Sequence, residues 1–252
     1  MKMIRLCLIA LITMLILSGC MNYVMMPDLT LGSKNYPKPE DISSLSFALA
    51  QPSITVATDL TRTANGGLID RIKNDTSKVS CHLTGEVQKI LLSKGFTITD
   101  TFDSYNDMTF TQKRNTSALF YPEIRIDIDE KSQLDTWSFL IFGGRNINGR
   151  MEINATVNIV MLEPLSGEKL WIKSLPVKGI DDLVHYTPAI YGGPQLNGVA
   201  VPQNLQPIAG KIDNMFEQIS KEVLLATNKY VERSEFEFLN KDIERLKQIK
   251  RY

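Results

Sequence analysis

The chain has 252 residues with 28 basic and 28 acidic side chains, so its formal net charge is zero. A neutral balance without a basic block gives no indication of nucleic-acid binding, and no acidic tail is present to act as a solvating segment. The length is sufficient for one hydrophobic core, or for one core with appendages.

The first 19 residues have the composition of a signal peptide. Lys2 and Arg5 supply positive charge, and the apolar run that ends at residue 17 is shorter than the ~20 residues that a spanning helix needs. The run closes in Leu17-Ser18-Gly19-Cys20, which resembles the lipobox of bacterial lipoproteins. This resemblance implies that residues 1–19 are removed and that Cys20 is acylated. The alternative is an ordinary secretory signal with an incidental cysteine.

Lipidation at Cys20 has consequences for the rest of the chain. Burial of each acyl methylene contributes about 0.8 kcal/mol, so three acyl chains give a lasting anchor. Met21 stands where an aspartate would resemble an inner-membrane retention signal, which favours the outer membrane. Cys7 leaves with the leader, so only Cys81 would remain as a free thiol and no intramolecular disulfide can form.

Residues 20–50 show no persistent hydrophobic period. Prolines at positions 27, 37 and 39 and a glycine at 32 predict an extended tether that lifts the folded domain off the membrane.

A β–α–β pattern follows. Ser53–Ala57 alternates and predicts the first strand, and Asp75-Thr76-Ser77 predicts a helix start. Gly95 is placed for a left-handed C-terminal cap, and Phe96–Thr99 predicts the next strand. The apolar face of the intervening helix consists of Val79, Leu83, Val87, Ile90 and Leu91.

The middle of the chain predicts a run of strands. Ala118–Ile128 is extended, Trp137–Phe142 is apolar but too short to span a bilayer, and the glycines and asparagine at positions 143–149 predict a turn or loop. Met151–Met161 alternates most clearly, Pro164–Gly167 predicts a tight reversal, and Lys169–Leu175 should return antiparallel.

The C-terminal third combines an irregular segment with helices. Residues 178–207 are rich in glycine and proline and predict a long loop that is either functional or mobile. A helical pattern resumes at Ile208, and residues 233–252 form a second amphipathic helix that either lies on a partner or packs back on its own sheet.

These elements predict a single α+β domain over residues 51–232. It should have a mixed or antiparallel sheet with helices packed on one face, a β–α–β opening and a C-terminal helical extension over residues 233–252. Strand order does not follow from the sequence. The second face of the sheet is either solvated or a binding surface.

The sequence offers little for catalysis. His82 and His185 are far apart, and Cys81 and His82 are helix neighbours that point about 100° apart. Asp127, Asp129 and Glu130 are best interpreted as a solvated strand end, and Cys81 as a thiol that is either inert or exposed for an intermolecular disulfide. We therefore expect no catalytic residue, no metal and no cofactor.

Several stretches resemble one lipoprotein family. Asp107–Arg114, Val160–Leu170 and Leu91–Phe96, followed by the C-terminal helix, are similar to blocks in the neuraminyllactose-binding haemagglutinin lipoproteins, also called flagellar sheath adhesins. The likeness runs over about residues 50–250 in matching order. It implies a surface-exposed lipoprotein of the outer membrane or flagellar sheath that adheres to sialylated glycans.

One departure limits this resemblance. The sialic-acid motif proposed for the family is the basic hexapeptide Lys-Arg-Thr-Ile-Gln-Lys, and the aligned residues 131–136 read Lys-Ser-Gln-Leu-Asp-Thr. Only Lys131 keeps a positive charge for a sialate carboxylate, and Asp135 adds a negative one. The sequence thus predicts a divergent paralogue, and the ligand-binding residues stay unassigned.

Two functions follow. The first is an adhesin-like surface protein that is attached to the membrane through its lipid and binds a host glycan or protein. The second is a structural or assembly lipoprotein whose sheet or C-terminal helix docks onto another envelope protein. Aromatic and cationic residues for the first are Trp137, Arg145, Arg150, Tyr186 and Tyr191, whose rings could instead pack the sheet.

Overall fold

The structure is a computed structural model that describes residues 23–25, 29–39, 41–59, 66–139, 142–186, 200–202 and 206–249. The strands are β1 (Tyr23–Met25), β2 (Ser46–Ala50), β3 (Ser53–Asp59), β4 (Thr97–Phe102), β5 (Ala118–Phe139), β6 (Phe142–Glu163), β7 (Glu168–Pro176), β8 (Ile180–Tyr186) and β9 (Ala200–Pro202). The helices are α1 (Gly66–Ser93), α2 (Phe110–Asn115), α3 (Gln206–Tyr230) and α4 (Arg233–Ile249).

A long antiparallel hairpin of β5 and β6 forms the centre of a seven-stranded mixed sheet. On one side, β2 and then β3 pair in parallel with successive parts of β5, and β4 pairs in parallel with β2. On the other side, β7 and β8 pair antiparallel with successive parts of β6. The sheet and its four helices confirm the predicted α+β class.

The β–α–β opening is confirmed, but its first strand differs from the prediction. Helix α1 connects to β4, and the parallel neighbour of β4 is β2. Ser46–Ala50 falls within the predicted tether because this strand does not alternate. Phe47 and Leu49 are buried against the helices, while Ala48 and Ala50 are buried on the other face. A strand that is covered on both faces appears in sequence as a plain apolar run.

The predicted start of α1 is wrong. The helix begins at Gly66, so Asp75–Ser77 lies in its interior, where the Thr76 hydroxyl donates to the Ile72 carbonyl at 2.7 Å. Serine, threonine and aspartate favour helix starts, but they also tolerate interior positions when their side chains find partners. The predicted apolar face is buried as expected, and Gly95 has φ +87°, where a Cβ would collide with the Asp41 carbonyl oxygen.

The predicted turn at residues 143–149 is also wrong, because these residues continue β6 in register with β5. Residues 180–186, which were predicted to belong to a long loop, form β8 instead. Glycine and asparagine are weak strand formers, and here the backbone ladder outweighs their local preference. The Pro164–Gly167 reversal is confirmed, with Gly167 at φ +70° and β7 antiparallel to β6.

Three helices, α1, α3 and α4, cover one face of the sheet and enclose the main core. None of the helices in the described ranges combines the length and apolar character that a bilayer crossing requires. Helix α4 packs back on its own domain, as one of the two predicted alternatives has it. Phe236 is fully buried, with ring centroids 6.1 Å from Phe47, 6.0 Å from Phe96 and 5.4 Å from Trp171.

Part of the predicted tether also contacts this core. Leu29, Leu31 and Tyr36 are half-buried against it. We call residues 29–39 the strap. The folded part of the described chain therefore begins well before residue 51.

A matched pair of phenylalanines on α4 tests this packing. Replacing buried Phe236 with alanine should lower the free energy of unfolding by about 3–5 kcal/mol, because it leaves a cavity among three aromatic rings. Replacing Phe238, which is 75% exposed, should change it by less than about 0.5 kcal/mol. Urea denaturation of both variants measures the difference, and equal effects would show that α4 does not belong to the core.

Candidate functional site

The two ends of the sheet are chemically different. We call the last five pairs of the β5–β6 hairpin, from Asp135↔Asn146 to Phe139↔Phe142, the arm. The end of the domain from which the arm extends is the arm end. The opposite end, with the start of β5 and the Pro164–Gly167 turn, is the base end.

The first described strand, β1, lies at the arm end. Strand β1 pairs antiparallel with β9, which contacts both α1 and α3, and α3 begins four residues after β9. Helix α1 returns from β3 to β4, which run in the same direction, so its first turns lie where β3 ends, beside Asp129 of β5. Cys20 is outside the described residues, but it precedes Tyr23 by three residues, a reach of about 10 Å.

A buried guanidinium joins the N-terminal parts of α1 and α3. The Arg71 guanidinium donates to both carboxylate oxygens of Asp213, at 3.1 and 2.5 Å, and its Nε lies 3.4 Å from Asp75. Arg71 and Asp75 are 1% and 0% exposed. Removing this guanidinium would take away the nearest cation from two acidic groups, which is strongly destabilising.

Asp75 makes this cluster sensitive to pH. Burial raises the pKa of its carboxyl to about 6; Arg71 opposes the rise and neighbouring Asp213 adds to it. The folded pKa thus exceeds the ordinary 3.8, so the folded protein holds this proton more tightly. The contribution of protonated Asp75 to the free energy of unfolding is therefore complete below pH 3.8, and it is lost as pH rises through about 6.

A buried carboxylate clamps the strap onto α1. Glu86 is 3% exposed and accepts hydrogen bonds from the Ser33 hydroxyl at 2.7 Å, the Lys34 backbone N–H at 3.1 Å and the Lys89 ammonium at 2.6 Å. Burial alone would raise the pKa of Glu86, but these hydrogen bonds outweigh it and hold the pKa below its ordinary value. Farther along, Ser43 donates its N–H to the Gly95 carbonyl, so the strap leads from the arm end to the base end.

The sheet face opposite the helices is polar over most of its described area. Lys169 and Glu123 pair at 2.9 Å, Arg125 and Asp127 pair at 3.1 Å, and neighbouring strands carry further hydroxyl and amide side chains. The sequence left open whether this face is solvated or binds a partner. Asp127 is bonded to Arg125, which agrees with its interpretation as part of a solvated strand end.

A short segment covers this face at the base end. Residues 103–117 place Met108 against Ala48 and Leu119, and the Tyr105 hydroxyl donates to the Pro164 carbonyl at 2.9 Å. The Lys113 ammonium lies 3.6 Å from the centroid of the Tyr105 ring. Met108 also shares this buried cluster with Leu162, so two of the segments that resemble the haemagglutinin family meet here and pack together.

The candidate nucleophile and base do not come together. Cys81 is exposed on α1, and the next residue, His82, is half-buried, with its pKa lowered by burial. His185 belongs to β8, where its backbone is opposite Asn148.

The candidate glycan-contacting residues are distributed along the hairpin. The 131–136 segment, Trp137 and Arg145 belong to the arm and the part of β5 leading into it, and the backbone of Tyr186 is opposite Ile147. Arg150 is exposed, and its Nε forms an ion pair with the Asp181 carboxylate at 2.5 Å. Tyr191 lies outside the described residues.

Comparison with known structures shows what this fold is similar to. A neuraminyllactose-binding haemagglutinin homologue from Helicobacter pylori superposes with a TM-score of 0.55 at 13% identity, over 87% of this chain and 100% of that one. This likeness shows a shared fold.

Weaker matches include a Neisseria meningitidis lipoprotein, with a TM-score of 0.24 and 11% identity over 55% of this chain and 83% of the other. A minor lipoprotein from Acinetobacter baumannii superposes with a TM-score of 0.25 at 10% identity, over 73% of this chain and 92% of the other. No family model matches the sequence, and no curated protein matches it significantly.

The strap gives a direct test of the Glu86 clamp. Trypsin should cleave after Lys34 on the order of tenfold faster in Glu86→Gln than in the unchanged protein, because losing charged hydrogen bonds raises the population with a released strap. The control Glu222→Gln removes an exposed carboxylate of α3 and should leave the rate unchanged. Equal cleavage of both variants would contradict the clamp. The clamp is present above the ordinary Glu pKa and is lost as pH falls through its lowered value, so the assay belongs at pH 8.

Proposed function

We propose that this chain is a lipid-anchored lipoprotein of the bacterial envelope whose α+β domain is an adhesin-like, non-catalytic binding module. The observation that carries the proposal is the fold likeness to the Helicobacter pylori haemagglutinin homologue, which extends over the whole of that protein. The lipobox at Cys20 supplies the attachment. Met21 after the cysteine supports the outer membrane, with the cell surface or a flagellar sheath as the location of the domain.

A binding role agrees with the chemistry of the described residues. Cys81 and His82, the nearest approach to a nucleophile with a base, diverge on α1. The ion pairs at Arg71 and Glu86 join parts of the fold to one another. We assign no sialic-acid residues, because the aligned segment at 131–136 keeps only one basic side chain, Lys131, and adds the acidic Asp135.

An assembly role within the envelope is the second candidate. The buried face of α4 is used inside the domain, but its outer face exposes 75% of Phe238 and 65% of Ile249. Ile42, 77% exposed, lies beside α4 because its carbonyl accepts a hydrogen bond from Arg233. These apolar side chains favour a protein partner over a glycan at that surface.

Fractionation and labelling of intact cells test the proposal and separate the two roles. The unchanged protein should pellet with the outer membrane and react with an impermeant amine label on intact cells. The Cys20→Ala variant should leave the membrane fraction, whereas Cys81→Ala should behave like the unchanged protein, because only the first removes the acylation site.

Two results would count against the proposal. Soluble unchanged protein that still carries its leader would overturn the lipoprotein. Labelling only after lysis would reject the surface adhesin and support the assembly role.

A further inference from the structure

We propose that the arm inserts its tip into the lipid surface beside the anchor, so that the domain is held at the membrane by two points. This inference rests on the proposed function in one respect, the acylation of Cys20. The surface that the tip contacts is the interfacial region of the bilayer.

The arm extends beyond the rest of the sheet. On β5 the last residue paired with β3 is Asp129, and on β6 the last residue paired with β8 is Ile147, whose partner on β5 is Leu134. The five outer pairs are therefore two-stranded in the described structure. At about 3.3 Å per residue they extend roughly 16 Å past the third strand.

The sequence of the tip has the character of a lipid contact. Residues 136–144 carry no charge, and the flanking charges are Asp135 and Arg145. Trp137, Phe139 and Phe142 lie within the last three pairs, and the sequence between the two phenylalanines is Leu140-Ile141. A two-stranded ribbon leaves the outer backbone edge of each strand available for pairing, and apolar ribbons of this kind associate with other chains in water.

The described strand nearest to Cys20 in sequence lies at the same end as this tip. Strand β1, three residues after Cys20, pairs with β9, and β9 leads within four residues into the first turn of α3. Through Asp213, Arg71 joins the N-terminal part of that helix to the N-terminal part of α1 at the arm end. The strap then runs toward the base end along α1, where Glu86 holds it. An acyl group on Cys20 would thus enter the membrane from the end that carries the arm.

The backbone limits how deep the tip can go. The outer edges of a two-stranded ribbon carry unpaired N–H and C=O groups, which the hydrocarbon core does not tolerate. Shallow burial of about 5–10 Å keeps these groups near hydrated headgroups while apolar side chains enter the acyl boundary. Tryptophan favours this interface. The geometry therefore points to interfacial insertion, with the base end directed away from the membrane.

The chain contains two tryptophans, which provide an internal comparison. Trp137 is in the arm, whereas Trp171 packs 5.4 Å from Phe236 and donates to Glu235 at 3.2 Å near the base end. Trp171→Phe leaves Trp137 as the single emitter, and Trp137→Phe leaves Trp171. Both full-length variants are reconstituted into phosphatidylethanolamine and phosphatidylglycerol vesicles that contain dibrominated phosphatidylcholine, which quenches tryptophan on contact.

We expect bromolipid to quench Trp137 several-fold more strongly than Trp171. In the Trp171→Phe background, serine at both Phe139 and Phe142 should reduce quenching of Trp137 to the level of Trp171. The control Ile172→Ser, which changes a half-exposed apolar residue on β7, should leave it unchanged.

Membrane contact by the arm and attachment through the acyl chains are measured separately. Quenching reports the first, and the mass of the purified protein reports whether Cys20 is acylated. Acylated protein whose Trp137 is unquenched overturns the inference and leaves the proposed function intact. Unquenched Trp137 with blue-shifted emission overturns it in favour of a protein partner or a second copy of the arm. Quenched Trp137 in protein without acyl chains supports the inference and rejects the lipid anchor.

Discussion

The hydrogen-bonded ladder between β5 and β6 is the constraint on which the rest of the structure depends. Both strands are 22 residues long, and every other strand of the seven-stranded sheet pairs with one of them directly or, for β4, through β2. The part of the ladder near the base end is covered by the helices and forms the main core. Its outer part continues as the arm, so one hairpin joins the stable part of the fold to its proposed membrane contact.

Buried charged groups hold separate segments of the fold together. Glu86 holds the strap against α1, and Arg71 joins the N-terminal parts of α1 and α3. Buried charges stabilise a fold only when their partners stay in place, so both clusters favour one arrangement of these segments. The segment that the sequence predicts as an extended tether therefore packs, over its described residues, against the domain.

The sequence predicted the second half of β6 and the apolar face of helix α1 correctly. Each of these elements buries only one face, so its apolar residues recur with the period of a strand or a helix. Strand β2 was missed because it is buried on both faces. Arg71 and Glu86 could not be recognised, since their partners Asp213 and Ser33 are 142 and 53 residues away in sequence. The acylation of Cys20 stays a prediction, and it could be made from sequence because the lipobox is a local motif.

The orientation of the domain on the membrane is the central claim, and thiol accessibility in vesicles tests it most directly. In a Cys81→Ser background, the full-length acylated chain receives one new cysteine, either Ser138→Cys in the arm or Ser104→Cys in the exposed segment at the base end. An impermeant maleimide should react readily at position 104, whereas position 138 should become reactive only after detergent dissolves the vesicles. Equal rates in intact vesicles, or protection of position 104 alone, would contradict the account.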